Sequence, residues 1–148
     1  MIRVLVLSVC FAFGIGNVFA QLPTTITTAS ESLPQGSAER GRLVFAPCRT
    51  CHYPEQYMGH NNGPNLSAIF GKVAGKQPGF RYYSQTFSDA EFVWTPQLMY
   101  AWLEKPMEMF PDSSMMSLGV PDPQQRADLI AYLLQASALD DNGTTVTE

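Results

Sequence analysis

Two cysteines and a histidine lie close together in the first half of the chain, at Cys48, Cys51 and His52. Two thiols at this spacing lie on one side of a helical turn, where they can add to the two vinyl groups of a porphyrin. The histidine that follows is then held beneath the iron, for which its ring nitrogen is a good ligand. C-x-x-C-H is the signature of c-type haem attachment, so the sequence predicts one covalently bound haem.

Two other uses of these residues are a disulfide and one half of a zinc site. A structural zinc site takes four ligands, usually as two Cys or His pairs at suitable spacing. The remaining candidates, Cys10 and His60, do not form a second pair. The haem interpretation is therefore favoured over both alternatives.

The residue on the far side of the iron decides between electron transfer, gas binding and catalysis. His60 follows His52 so closely that reaching the opposite face of the ring requires an awkward loop. Met115 and Met116 lie far downstream in a polar loop, and a loop methionine has less reason to fill the core than one on a helix stripe. A methionine ligand is favoured, and both residues remain candidates on this reasoning.

The segments around these residues read as helices and loops. No segment shows the alternating pattern of a strand, and no internal repeat is present. Start signals made of a capping side chain or a cap followed by proline recur in the chain. They predict three helices: residues 38–46 after Ser37, residues 97–104 after Thr95 and Pro96, and a terminal helix after Asp122 and Pro123.

The N-terminal segment has one early cation, Arg3, followed by an apolar run and a small residue, Ala20. This layout predicts a secretory signal peptide over residues 1–20, with an uncleaved membrane anchor as the alternative. Residues 21–36 are expected to form a flexible spacer, residues 37–138 the haem domain, and residues 139–148 a disordered tail.

The net charge of the chain is −4, and without residues 1–20 it has 8 basic and 13 acidic residues and a net charge of −5. Such a protein is poorly suited to nucleic acid or to anionic membrane surfaces. We therefore expect no nucleic-acid partner, and membrane association only if the leader is retained.

The chain resembles the class I c-type cytochromes, the small soluble carriers of mitochondria and bacteria. The likeness covers about residues 36–138, and the matching residues follow one order along the chain. They are Gly41, Phe45, Cys48, Cys51, His52, His60, Gly63-Pro64-Asn65-Leu66, Phe70-Gly71, Pro78-Gly79-Phe80, Tyr82, Trp94, Leu98-Met99, Trp102 to Pro106, Pro111, Met115 and Asp128 to Leu133.

This resemblance implies an all-α cytochrome c fold, in which three to five short helices and their loops surround one haem c attached through Cys48 and Cys51. It implies that the Pro64 carbonyl binds the His52 ring N–H, and that Tyr82 and Trp94 hydrogen-bond a haem propionate. The family places its axial methionine four residues after a proline, which selects Met115 after Pro111. His60 resembles a structural loop histidine. Cofactor contacts are thus expected at Cys48, Cys51, His52, Met115, Pro64, Tyr82 and Trp94, with His52 and Met115 as the iron ligands.

Several departures limit what the resemblance carries over. Lys72 stands where the family usually has arginine, Trp102 stands where tyrosine is common, and the segment from Phe80 to Trp94 is one residue longer than in the mitochondrial pattern. The ring of lysines around the haem edge of mitochondrial cytochromes is mostly absent. Partner identity is therefore not implied.

The function expected from these features is electron transfer by a single haem that cycles between Fe(III) and Fe(II). The protein is expected to be a monomer and not an enzyme, to exchange electrons with a redox protein donor and acceptor, and to be exported to a bacterial periplasm. One alternative is a membrane-tethered subunit of a larger respiratory or dehydrogenase complex, at the periplasmic face of the inner membrane. A haem sensor or a peroxidase-like protein is the other.

Overall fold

The computed structural model describes residues 32–137 of the 148. The predicted leader, residues 1–20, and the predicted tail, residues 139–148, lie outside this part of the chain. The described part contains five α-helices and two 3₁₀ turns. They are α1 Ala38–Val44, the turns Ala46–Thr50 and Gln56–Met58, α2 Gln85–Ser88, α3 Pro96–Glu104, α4 Pro106–Met109 and α5 Pro123–Ser137.

The three helices predicted from their start signals are present, and the all-α prediction is confirmed. The Ser37 hydroxyl accepts a hydrogen bond from the backbone N–H of Arg40 at 3.4 Å, which caps α1. The Thr95 hydroxyl caps α3 by accepting from Leu98 at 3.1 Å. Side chains of this kind stabilise a helix because the first backbone N–H groups have no partner within the helix. Helix α1 ends at Val44, two residues before the predicted end.

Two one-turn helices were not predicted. Helix α2 begins after Ser84, and it positions Phe87, which is 8% exposed, in the core. Helix α4 begins at Pro106, two residues after α3 ends at Glu104. Proline at the first helical position costs nothing, because its missing N–H would have no helical partner there. Pro106 therefore both ends α3 and begins α4.

Helices α1 and α5 pack closely at the point where they cross. A Cβ atom at Gly41 would lie 2.7 Å from Cβ of Tyr132, so only glycine permits this approach. The Phe45 ring lies 5.4 Å from the Tyr132 ring, between centroids. The last residues of the predicted spacer also contact α5: the backbone carbonyl of Gln35 accepts a hydrogen bond from Gln124 Nε2 at 2.9 Å. Ordered contacts with α5 thus begin before residue 37.

The loops between α1 and α3 are held by backbone and side-chain contacts rather than by a sheet. Within residues 32–137 the β-structure is limited to an isolated antiparallel bridge between Val73 and Val93. A core of apolar side chains, including Phe45, Trp94, Trp102, Leu129 and Leu133, joins these loops to the helices. None of the helices in the described part is both long and apolar enough to cross a bilayer.

Candidate haem-binding site

A cavity of about 620 Å³ lies inside the described part of the chain. Its size is in the range of protein sites that enclose a cofactor or a ligand of similar size. Its walls are mostly carbon. Among its lining residues are Phe45, Cys48, Cys51, His52, Pro64, Leu66, Ile69, Gln77, Tyr83, Trp94, Met99, Trp102, Met115 and Leu129.

The two cysteines line this cavity from the turn that follows α1. The turn Ala46–Thr50 has a proline near its start, and the backbone N–H groups of Cys51 and His52 both donate to the Cys48 carbonyl, at 3.0 and 2.9 Å. Both thiols are half-buried, and burial raises the pKa of the Cys48 thiol. The sulfurs are not joined in a disulfide, and no group of three or more His, Cys, Asp or Glu side chains that could hold a metal occurs within residues 32–137.

His52 is held in one orientation by its neighbours. Its side chain is buried, and its Nδ1 lies 2.7 Å from the carbonyl oxygen of Pro64. Burial lowers the pKa of His52, while the bond to Pro64 opposes that shift. With Nδ1 donating to the carbonyl, Nε2 keeps its lone pair for a metal, which is how outer-shell carbonyls fix the tautomer of a ligand histidine. His52 is therefore prepared to bind iron through Nε2.

The two methionines that sequence reasoning left open are placed very differently. Met115 is half-buried and packs against the core, and its backbone N–H donates to the hydroxyl of buried Ser113 at 3.2 Å. Met116 is 94% exposed. Only Met115 of this pair has a side chain packed into the core beside the cavity.

His60 is used at both ring nitrogens. Its Nδ1 accepts from the backbone N–H of Asn65 at 3.0 Å, and its Nε2 lies 2.8 Å from the Pro78 carbonyl. Because Nδ1 accepts, Nε2 carries the proton and donates to Pro78. His60 ties two loops together, as the resemblance implied, and it does not line the cavity.

Of the two aromatic residues expected near a propionate, Trp94 lines the cavity and is 5% exposed. Tyr82 is 74% exposed and lies outside the cavity lining. Its neighbour Tyr83 is half-buried and lines the cavity instead; burial raises the pKa of its hydroxyl, and the Gln77 backbone opposes that shift. Tyr83 and Trp94 thus both line the cavity, whereas Tyr82 does not, and the propionate contact of Tyr82 and Trp94 stays a prediction.

Tyr83 is not among the residues that the resemblance suggested for the cofactor contacts. The extra residue between Phe80 and Trp94 is the signal that could have found it, since counting back from Trp94 moves the match by one position.

Lys72, which stands where the family has arginine, lies close behind this part of the cavity. Its ammonium donates to the Ser67 carbonyl at 2.7 Å and to Gln77 Oε1 at 3.3 Å. Burial lowers the pKa of Lys72. Gln77 itself lines the cavity, so the Lys72 charge lies next to the site without being part of its wall.

The cavity fits the group that the motif implies. Two thiols, an imidazole and the methionines Met99, Met115 and Met116 line one apolar space. Nitrogen and thioether donors are the axial pair of haem electron carriers. A Cβ atom at Gly63 would lie 2.7 Å from both ring nitrogens of His52, so the absent side chain leaves room for the imidazole. In the described part of the chain the indole N–H of Trp102 is buried without a hydrogen-bond partner.

Comparison with known proteins identifies the family. No protein-family model matches the chain. The chain is 41% identical over 106 residues to a cytochrome c of Chlamydomonas reinhardtii, covering 71% of this chain and 94% of that protein. It is 37% identical over 106 residues to a cytochrome c of Sesamum indicum, covering 71% and 95%. It is 35% identical over 112 residues to a cytochrome c of Ginkgo biloba, covering 75% and 97%. The chain therefore belongs to the cytochrome c family and carries one haem c, attached covalently through Cys48 and Cys51.

Proposed function

We propose that this haem electron carrier is exported and passes electrons between redox proteins of the periplasm or of the adjacent membrane, with His52 and Met115 as its axial ligands. The haem supplies reversible one-electron exchange between ferric and ferrous iron. Carriage of electrons follows from membership of the family, whereas the compartment, the axial pair and the character of the partners are proposals.

The observation that carries the axial assignment is the contrast between Met115 and Met116. A ligand must keep one position in both oxidation states, and Met115 packs against the buried core. Met116, at 94% exposed, has no such support. His52 is equally constrained by its bond to Pro64. Fixed ligands leave little to rearrange during electron transfer, and a thioether in an apolar site favours ferrous iron and a positive reduction potential.

The same position of Met115 favours a carrier over a sensor or a peroxidase-like protein. Those functions need an iron position that is open or easily vacated. A methionine that lines the cavity and packs into the core favours a six-coordinate iron. The proposed reaction uses no nucleophile and no proton relay, so we propose that the protein is not an enzyme.

The partner surface we propose is apolar rather than basic. Residues 32–137 contain eight basic and nine acidic residues, and four of the basic side chains form ion pairs with acids. At the cavity rim, Met116 and Leu118 are 94% and 98% exposed. We propose that the protein is a monomer that binds its redox partners through this rim, and that it has no nucleic-acid partner.

The proposed compartment depends on residues 1–20, which lie outside the described part of the chain. Their pattern supports export, and the algal and plant sources of the relatives do not bear on a bacterial periplasm. A membrane-tethered subunit would use the same haem site but keep the leader. The mass of the mature chain separates these two cases.

The axial assignment is tested by replacing each methionine in turn. Met115→Ala is expected to abolish the far-red charge-transfer band of the ferric protein, which reports sulfur bound to iron, and to give high-spin or ligand-binding iron. Met116→Ala, the matched control, is expected to leave that band unchanged. Loss of the band in the second variant alone would overturn the assignment.

A further inference from the structure

The loop that carries Met115 connects α4 to α5, and its two ends are attached in different ways. Near its beginning, the Asp112 carboxylate accepts from the Thr86 backbone N–H at 3.1 Å, and the Ser114 hydroxyl donates to the Tyr82 carbonyl at 2.9 Å. Both bonds are exposed to solvent. Exposed hydrogen bonds contribute little net stability because water competes for each partner.

The other end of the loop is fixed by Arg126 on α5 and by a backbone hydrogen bond from the Val120 N–H to the Leu103 carbonyl at 2.7 Å. The guanidinium donates from Nη1 to the Val120 carbonyl at 2.9 Å and to the Pro121 carbonyl at 2.8 Å. Nη2 pairs with Glu104 of α3 at 3.2 Å. The same group lies 4.6 Å from the centroid of the Tyr100 ring. One side chain therefore joins the loop to both helices.

Burial makes this attachment strong. Arg126 is 5% exposed, and arginine is not deprotonated in proteins, so its charge needs partners inside the fold. A buried cation that loses hydrogen bonds keeps the full cost of having left water. If Val120 and Pro121 moved away, the guanidinium would stay buried without its hydrogen bonds to their two carbonyls. The end of the loop next to α5 is consequently the one that resists opening.

We propose that Arg126 is the positioning residue for the axial thioether: by fixing the loop after Met115 to α3 and α5, it keeps the sulfur at the iron. This inference rests on the proposed function, in which Met115 is a ligand. A neutral thioether can be displaced by a stronger ligand whenever the loop moves away. The apparent affinity for an added ligand rises with the fraction of time that the iron position is vacant, so a low affinity shows that the loop is held firmly.

The experiment is a titration of the ferric holoprotein with imidazole, followed by loss of the sulfur-to-iron band. Arg126→Gln is expected to raise the apparent affinity for imidazole at least about tenfold, the factor given by loss of one charge-assisted hydrogen bond. Arg126→Lys keeps the charge but not the forked geometry, and an intermediate increase is expected. Far-UV circular dichroism at the same temperature is expected to show an intact fold in each variant.

Arg40→Gln is the matched control. Arg40 also pairs with a buried acid on α5, Asp128, but it makes no contact with the Met115 loop. This variant is expected to lower the melting temperature while leaving the imidazole affinity within about twofold of the parent. An equal rise in affinity for the Arg40 and Arg126 variants would show a general loss of stability and would overturn the proposal.

The remaining outcomes also decide the question. Unchanged imidazole affinity in Arg126→Gln overturns the inference, and if that variant does not fold, Arg126→Lys decides by the same comparison. A parent protein without the sulfur-to-iron band contradicts the axial assignment itself. If the parent protein shows the band but the Arg126 variants bind imidazole with the same affinity as the parent, this inference alone is contradicted.

Discussion

Gly63 lies directly against the imidazole of His52, where any side chain would overlap the ring. Gly63→Ala is therefore expected to turn His52 and to break its 2.7 Å bond to the Pro64 carbonyl. We expect a loss of about 1–3 kcal/mol in the free energy of unfolding of the holoprotein, the cost of leaving a buried polar partner unpaired. The ferric absorption spectrum should change with it. Gln56→Ala, at an exposed position outside the cavity lining, serves as the control and should leave both measurements unchanged.

Asp128 makes the stability of the domain depend on pH under acidic conditions. Arg40 donates to both oxygens of its carboxylate at 2.7 Å, and the Ser37 backbone N–H donates at the same distance. The pKa of Asp128 is held at about 2, below its ordinary 3.8, and the hydrogen bonds from Arg40 are the largest cause. Between these values the unfolded chain binds a proton that the folded chain does not. Stability is therefore complete above about pH 4 and falls towards pH 2.

The measurement is the melting temperature of the holoprotein from pH 2 to pH 7. Asp128→Asn is expected to melt at a lower temperature near neutrality and to show a smaller change below pH 4. Glu91→Gln removes an exposed acid instead, and its profile should follow that of the parent. An Asp128→Asn profile that parallels the parent throughout would contradict this role of the ion pair.

Tyr83 and Tyr82 provide a matched pair for the propionate contact. Tyr83→Phe is expected to lower the reduction potential, because a hydroxyl beside a propionate offsets negative charge that otherwise favours ferric iron. The free energy of unfolding should fall by about 0.5–1.5 kcal/mol, as for one hydrogen bond. Tyr82→Phe, at a side chain that is 74% exposed, should change the free energy of unfolding by less than about 0.5 kcal/mol. Cyclic voltammetry and thermal melts distinguish the two residues, and the reverse order would favour Tyr82.

The apolar rim predicts a weak salt dependence of electron transfer. Opposite charges speed encounter at low salt, an effect that fades as the Debye length shortens. Rates measured with one acidic and one basic surrogate partner should show no preference for the acidic one. Leu118→Ser should slow transfer to a partner with an apolar face, whereas Leu43→Ser, at a 63% exposed residue of α1, should not. A faster, salt-sensitive reaction with the acidic partner would contradict this prediction.

Local chemistry made much of this site predictable from the sequence. The attachment motif and the cap signals at Ser37 and Thr95 depend on residues close together in the chain, so the pattern alone located them. Helices α2 and α4 were missed because one turn of helix is stabilised by its tertiary contacts, such as the burial of Phe87, rather than by its own sequence.

Choices between adjacent residues depend on more than local chemistry. Met115 and Met116 have the same chemistry; the family spacing after Pro111 favoured Met115, and packing leaves Met116 exposed while Met115 lies against the core. Tyr82 and Tyr83 differ by a single position in a segment that carries an extra residue. The family pattern fixes each end of that segment but not where the extra residue is absorbed.

The crossing of α1 and α5 sets the order of events as the chain matures. The ion pair between Arg40 and Asp128 joins residues separated by 88 positions, so it forms only after nearly the whole domain has emerged. Contacts between such distant residues pay the entropy of closing a long loop and form slowly. Cys48 and Cys51 directly follow α1, and until α5 arrives their segment has no complete core to enter. We therefore expect the two thiols to be most accessible for attachment to haem before the last helix docks on the first, since both are half-buried in the folded chain.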